Sequence, residues 1–306
     1  MNADYPLIVM EKTPFKSVCI LGFGDIGQRV ARLWLEDGLK VCGLARSEAA
    51  KQQMQTLGLE PIQADLDEPA SLRFPNLKGA LLYWFVPPPR SGQTDPRMQN
   101  LLSALDTVDR PARIIAISTT GVYGDQQGRM VDEDTPPNPQ VDRARRRLDM
   151  ETQLRSWGEQ QHIPVIILRV GGIYGPDRLP LKRIRDGVPL LKPALSPKTN
   201  RIHTDDLARL CVAAAIRPAD SRIYNVSDGQ DSDMTEYFIT LADFFGLPHP
   251  PLVDWPEAEK TISPGMLSYF RESRRLDTRR MQEELGVELL YPSLLDGLQA
   301  MEKQTD

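Results

Sequence analysis

Ten residues near the start of the chain, Val18-Cys-Ile-Leu-Gly22-Phe-Gly24-Asp-Ile-Gly27, restrict the fold more than any other stretch. Val18 to Leu21 is an apolar run rich in β-branched residues, as a strand buried on both faces requires. Gly22 allows a tight turn, Gly24 allows close approach of another group to the backbone, and Gly27 allows a helix to lie near the strand. Helical periodicity follows at once, with Ile26, Val30, Leu33 and Trp34 on one face, and Gly38 provides a stop. Strand, glycine turn and helix N-terminus in that order make a cradle for an anion, because the first amides of a helix have no intrahelical partner.

The same rhythm continues. Strands are expected at Leu39–Leu44, Pro61–Leu66, Gly79–Val86, Arg113–Ser118, Val165–Val170 and Ile223–Val226. Helical segments stand between them: one running to Leu57, one with its apolar face at Met98, Leu101, Leu102, Leu105 and Val108, one over about Arg143–Gln160, and one over Asp205–Ile216. Alternation at such short intervals predicts an α/β fold with a parallel, doubly wound Rossmann-type sheet, whose ligands bind at the carboxyl ends of the strands. The glycine turn, Arg46 and Ser118-Thr119 all fall at such ends. Pro87-Pro88-Pro89 stops the fourth strand and stiffens the lip of the cleft. Asp125–Val141 reads as a polar, proline-rich loop, and Pro176–Asn200 loosens into a substrate lobe. The remainder is mostly helical, with an aromatic-rich helix near Phe238–Phe245 and a last one from Ser293. The expected organisation is an N-terminal tail at 1–16, a nucleotide-binding domain at 17–175 plus 205–226, and a smaller, mostly helical C-terminal lobe at 176–204 plus 227–306.

The glycine turn implies a dinucleotide. An acid after the second strand would favour NAD, but Ala45-Arg46-Ser47 stands there, and a guanidinium suits a 2′-phosphate, so NADP is the expected cofactor with NAD as the alternative. Ser47 can donate to that phosphate or cap the next helix. The expected cofactor set is Gly22, Gly24, Asp25, Ile26, Gly27, Arg46, Ser47, Asp65, Leu66, Val86, Pro87 and Ser118, with Asp65 placed to meet an adenine amino group.

Other classes are disfavoured. A net charge of −5 offers no global field to nucleic acid, and the arginine cluster at 143–147 lacks interleaved aromatics. No stretch approaches the roughly 20 apolar residues of a membrane span. Met1–Lys16 holds only a short apolar run at Leu7–Met10, without the basic start of a secretory signal, so a cytoplasmic location is expected. Cys19, Cys42 and Cys211 are widely spaced and read as reduced apolar residues, with no metal site.

Five stations in order resemble the extended short-chain dehydrogenase/reductase superfamily, in its nucleotide-sugar epimerase and dehydratase group: Gly22–Gly27; Ala64-Asp65-Leu66; Ser118-Thr-Thr-Gly-Val-Tyr-Gly124; Leu168–Pro176; and Arg201-Ile-His-Thr-Asp-Asp-Leu-Ala208. The resemblance covers about residues 17 to 230. The closing Arg274-Arg-Leu…Tyr291-Pro-Ser is similar to the same group's C-terminal segment. It implies an epimerase-like oxidoreductase acting on a small or nucleotide-linked substrate, with a homodimer possible through surface helices. It also implies a Ser/Thr, a Tyr and a Lys four residues later as the acid–base set. Those positions fall on Thr119, Arg143 and Arg147. No tyrosine occurs between Tyr123 and Tyr174 and no lysine between Lys78 and Lys182. Arginine stays protonated near neutral pH and cannot shuttle a proton as tyrosine does. The cofactor half of the pattern therefore survives without the usual catalytic pair, which leaves a non-catalytic NADP(H) sensor or scaffold as the alternative reading. Tyr123 and Tyr174 are expected to pack, and His203 and the Asp205-Asp206 pair to serve a helix start. His162 and His249 carry no partner pattern.

Overall fold

The computed structural model describes residues 13–218 and 220–303; the expected tail lies outside the described residues up to position 12, including its Leu7–Met10 run. The strands β1 (Ser17–Leu21), β2 (Lys40–Ala45), β3 (Glu60–Gln63), β4 (Ala80–Trp84) and β5 (Arg113–Thr119) join Val165–Val170 and Arg222–Val226 in one sheet. Its order is Arg222–Val226, Val165–Val170, β5, β4, β1, β2, β3, and every pair is parallel. All seven carboxyl ends therefore lie along one edge. The expected doubly wound α/β sheet is present.

The helices are α1 (Asp25–Glu36), α2 (Glu48–Thr56), α3 (Pro96–Leu105), α4 (Asp142–Gln161), α5 (Leu181–Arg185), α6 (Thr204–Ile216), α7 (Met234–Phe244), α8 (Trp255–Thr261), α9 (Pro264–Phe270), α10 (Arg279–Leu285) and α11 (Leu294–Lys303). Alternation along β1 divides the core. Val18 and Ile20 pack with α1 and α6, whereas Cys19 and Leu21 pack with α3 and α4. Every side chain of β4 is buried, which is why this strand reads as an unbroken apolar run. A separate cluster built on Leu190, Phe238, Leu241, Met266 and Phe270 fills the C-terminal lobe. Not all of 227–306 packs there. Met281 and Leu285 of α10 join the α1–α6 side of the sheet, and Arg275–Leu276 pairs in parallel with Met130–Val131 inside the expected 125–141 loop.

Several element ends differ from expectation. The third strand stops at Gln63 because Asp65 turns the chain: its carboxylate accepts from Asp67 N at 2.9 Å and its own amide donates to Ser71 Oγ. Helix α7 begins four residues early, since Asp233 and Glu236 form a capping box. Val108 lies beyond the end of α3. Cys19 and Cys42 are direct neighbours in the β1–β2 register despite their separation in sequence, and both are free thiols. No described helix is long and apolar enough to cross a membrane.

Candidate functional site

The glycine turn follows β1. Gly22 has φ +102°, and a Cβ there would meet the Phe85 carbonyl carbon at 2.5 Å. A Cβ on Gly27 would meet Gly22 O at 2.4 Å. At Gly24, by contrast, a Cβ would find nothing within 4 Å. Gly22 and Gly27 thus serve the packing of the turn, while Gly24 leaves open space over the start of α1. Gly24 is the N-cap of that helix and no side chain caps it, so its first amides face outward without a protein acceptor. This fits a dinucleotide pyrophosphate. The carboxylate of Asp25 stands beside this space. Burial opposes its charge, but hydrogen bonds from Arg29 and Arg178 prevail and hold it below the usual carboxylate range. Arg29 also bonds Asp205, the second residue of α6.

The other expected cofactor residues line the same edge. Arg46 is exposed just after β2. The Ser47 hydroxyl accepts from Ala50 N at 3.2 Å, the capping role, leaving its proton to donate elsewhere. Asp65 and Leu66 follow β3, with the Leu66 side chain in the core and its carbonyl bonded by Asn100. Ile26 is likewise a core side chain, so only its backbone faces a ligand. Val86 and Pro87 follow β4, and both carbonyls accept from arginines: Val86 O from Arg147 at 2.8 Å and Pro87 O from Arg97 at 3.3 Å.

A cavity of about 670 Å³ opens between the strand ends and the lobe. On the sheet side it is lined by Ser118, Thr119, Arg143 and Arg147, so the three expected catalytic positions and the cofactor candidate Ser118 come together. Thr119 Oγ1 accepts from Gly121 N at 3.1 Å, capping the short helix at Thr120–Tyr123. Ser118 Oγ is buried without a hydrogen-bond partner. Arg143 crosses to the lobe, donating to Ser268 Oγ at 2.8 Å with its guanidinium 4.0 Å from the Tyr269 ring centroid. Burial draws the Arg147 pKa down to about 10 against the opposing pull of Asp95 and Glu151, so it remains a cation at neutral pH.

The lobe side brings Arg178, Lys198, Arg201, Tyr237, Tyr269, Glu272 and Arg274, none of which sequence reasoning selected for the site. Arg201 is buried, bonded to Thr199 and Ser232 hydroxyls, and lies 3.7 Å over the Tyr237 ring. Apart from Tyr237 in α7, they come from short elements or loops without long periodicity; the sequence signals were the loosened, proline-broken stretch at Pro176–Asn200 and the family-like stretches holding Arg201 and Arg274, which named no role for them.

The remaining candidates hold structure. Tyr123 is fully buried, its hydroxyl donates to Asn225 Oδ1 at 2.7 Å, and burial raises its pKa to about 12. Tyr174 donates to Ser293 O at 3.1 Å. His203 Nδ1 accepts from Asp205 N at the start of α6, and its ring lies between Tyr174 and Tyr291. Asp206 accepts from Leu290 N and Tyr291 N, fastening the C-terminal segment to α6. His162 ends α4 in the left-handed region, and His249 pairs with Asp243 at the surface.

Residues 97–227 match the NAD dependent epimerase/dehydratase family. The chain is 27% identical over 291 residues to protein YeeZ of Escherichia coli, across 92% of this chain and 98% of that protein. A structure from Silicibacter pomeroyi, described as a functionally unknown conserved protein, aligns at a TM-score of 0.80 and 28% identity, covering 95% of this chain and 99% of the other. UDP-glucuronic acid 4-epimerase from Bacillus cereus, solved with UDP-glucuronic acid and NAD, aligns at a TM-score of 0.71 and 20% identity, covering 95% and 100%; this is a likeness of fold.

Proposed function

We propose that the chain, whose residues 97–227 match the NAD dependent epimerase/dehydratase family, is a member of the extended short-chain dehydrogenase/reductase superfamily and an NADP(H)-binding, epimerase-like oxidoreductase for a small or nucleotide-linked substrate. The observation that carries this reading is the open space at Gly24 over uncapped α1 amides, at the same sheet edge as the Ser118–Arg147 cavity wall. The amides of Asp25, Ile26 and Gly27 would hold the pyrophosphate, the Asp65–Leu66 turn the adenine, and the Val86–Pro87 lip the ribose near the cavity. When bound, the coenzyme supplies a hydride donor or acceptor. The relative solved with its coenzyme holds NAD. Preference for NADP rests here on exposed Arg46 in place of an acid after β2.

Arg143 and Arg147 hold charge and orientation but transfer no proton. The Thr119 hydroxyl and solvent are left to move protons, and losing a positioned acid–base group lowers rates by about 10²–10⁴-fold. A second reading, a non-catalytic coenzyme sensor, is favoured by one observation: Arg143 is engaged in joining the sheet side to the lobe through Ser268 and Tyr269.

Calorimetry with NADPH and NADH tests the assignment. Wild type is expected to bind NADPH at least about tenfold more tightly, with Arg46→Ala abolishing the difference, since charge-assisted hydrogen bonds are worth at least that much. Equal affinities overturn the NADP preference, and no binding of either overturns the coenzyme reading. Tight NADPH binding without turnover on a panel of carbonyl and sugar-nucleotide substrates selects the sensor.

A further inference from the structure

The sheet-side wall of the cavity is rich in hydrogen-bond donors. Arg147 and Arg143 have donors only, whatever the pH near neutrality. One Arg147 Nη is taken by Val86 O and one Arg143 Nη by Ser268 Oγ, which leaves further N–H groups on each. Thr119 Oγ1 already accepts from Gly121 N, so its own proton is available to donate. Ser118 is 3% exposed, lines the cavity, and its hydroxyl has no partner. Among the described residues, neither Arg143 nor Arg147 has a carboxylate within ion-pair distance. Glu272, the one carboxylate lining the cavity among the described residues, is 3.0 Å from Arg274 Nη1.

A wall on which donors outnumber acceptors is best matched by a ligand group that accepts several hydrogen bonds at once. A sugar hydroxyl has room to accept from only one or two of these groups, whereas a carboxylate or phosphate can accept from all of them through charge-assisted bonds. Asp95 and Glu151, beyond ion-pair distance, only partly offset the burial of Arg147, and an arriving oxyanion relieves the remaining cost. The coenzyme's own phosphates do not fill this need. They belong at the end of β1, and β5 lies two strands away, about 10 Å at ordinary strand spacing.

We propose that Ser118, Thr119, Arg143 and Arg147 form an oxyanion-binding site for the substrate at the coenzyme end of the cavity, so that the substrate carries a carboxylate or phosphate close to its reacting carbon. This deepens the oxidoreductase reading and rests on it for the words "coenzyme end". Arg143 and Arg147, which stand where the resemblance expects the proton-transferring pair, are thereby specificity-determining: they select an acidic substrate and hold its charged group beside the carbon that exchanges hydride.

The test is titration with oxalate, inorganic phosphate and uncharged oxamide, performed on the protein alone and again in saturating NADPH. At least one of the two anions is expected to bind tenfold or more tightly than oxamide. Arg147→Gln and Arg143→Gln should each weaken that anion by about 10–100-fold, with Arg147→Lys in between. Arg185→Gln, exposed and outside the cavity, should change nothing. Whichever of oxalate or phosphate prevails identifies the source of the oxyanion. If Arg147→Gln does not fold, Arg143→Gln and Arg147→Lys carry the comparison. Equal binding of oxamide and both anions, or anion binding untouched in the folded variants, overturns the proposal. If NADPH fails to bind, the coenzyme reading falls separately, and the titration of the protein alone still decides whether the oxyanion site exists.

Discussion

Arg169 and Glu151 form an ion pair with Nη2 to Oε2 at 2.8 Å, both almost fully buried, where the strand Val165–Val170 meets the middle of α4. Tyr123 lies over the same guanidinium, 4.8 Å from ring centroid to Cζ. This pair fixes the rotation of α4 against the sheet and so aims Arg147 and Arg143, one and two turns earlier respectively, at the cavity. Arg169→Met leaves Glu151 buried without a counter-charge and should cost about 3–5 kcal/mol, whereas replacing both by apolar residues should restore most of the loss. Urea denaturation of the single and double variants checks this; an undiminished single variant would show that the pair does not hold the helix.

Gly22 and Gly24 should respond in opposite ways to the same methyl group. Gly22→Ala drives Cβ into the Phe85–Val86 backbone at a positive φ and should destabilise the fold by more than about 2 kcal/mol. Gly24→Ala meets no protein atom, so stability should stay within about 1 kcal/mol while NADPH affinity falls at least tenfold. Denaturation and calorimetry on the same two proteins separate the effects. Unchanged NADPH binding by Gly24→Ala would remove the pyrophosphate from that position.

Tyr123→Phe distinguishes a packing tyrosine from a proton carrier. It leaves buried Asn225 Oδ1 without its 2.7 Å donor, so a loss of about 1–2 kcal/mol in stability is expected. The pH dependence of any turnover should not move. A shifted pH profile with intact stability would make Tyr123 an acid–base residue.

His203 makes stability depend on pH. Burial lowers its pKa to about 4, with Asp205 opposing and Arg29 assisting. The unfolded chain therefore binds a proton near pH 6.5 that the folded chain refuses until about pH 4. Its contribution is complete above pH 6.5 and is lost as pH falls through that window, by about 3 kcal/mol at most. Asp228, raised to about 6 by burial, acts in the opposite direction: its contribution is present at low pH and lost as pH rises toward 6. The His203→Asn variant, compared with wild type by denaturation at pH 4.5, 5.5 and 7, isolates the histidine. Its difference from wild type should shrink as the pH falls, and a difference that is flat with pH contradicts the assignment.

The sheet was legible because strands buried on both faces leave contiguous apolar runs such as Ala80–Trp84, and because Gly22, Gly24 and Gly27 answer different steric demands at fixed spacing. The sheet half of the cavity was legible for a related reason: Thr119, Arg143 and Arg147 are held by regular elements. The roof was not. Arg143 meets Ser268 across 125 positions, and α8 and α9, at seven residues each, are too short to show a period. The end of β3 was misread because an Asx-type turn at Asp65 depends on its neighbours' hydrogen bonds, which an apolar run does not display. The pairing of Cys19 with Cys42 follows from register, which becomes visible only once the two strands are adjacent.

Helix α6 is buried over its whole length from Thr204 to Ala215, and part of what covers it, Met281 and Leu285 of α10 and the chain fastened at Leu290 and Tyr291 by Asp206, comes some seventy or more positions later. A ribosome delivers these partners only after the whole seven-stranded sheet. Until they emerge, a greasy flank of the growing polypeptide stays open to water, so this protein should engage chaperones late in translation, and a nonsense codon shortly after Phe270 should yield an insoluble product although every strand of the seven-stranded sheet has already been made.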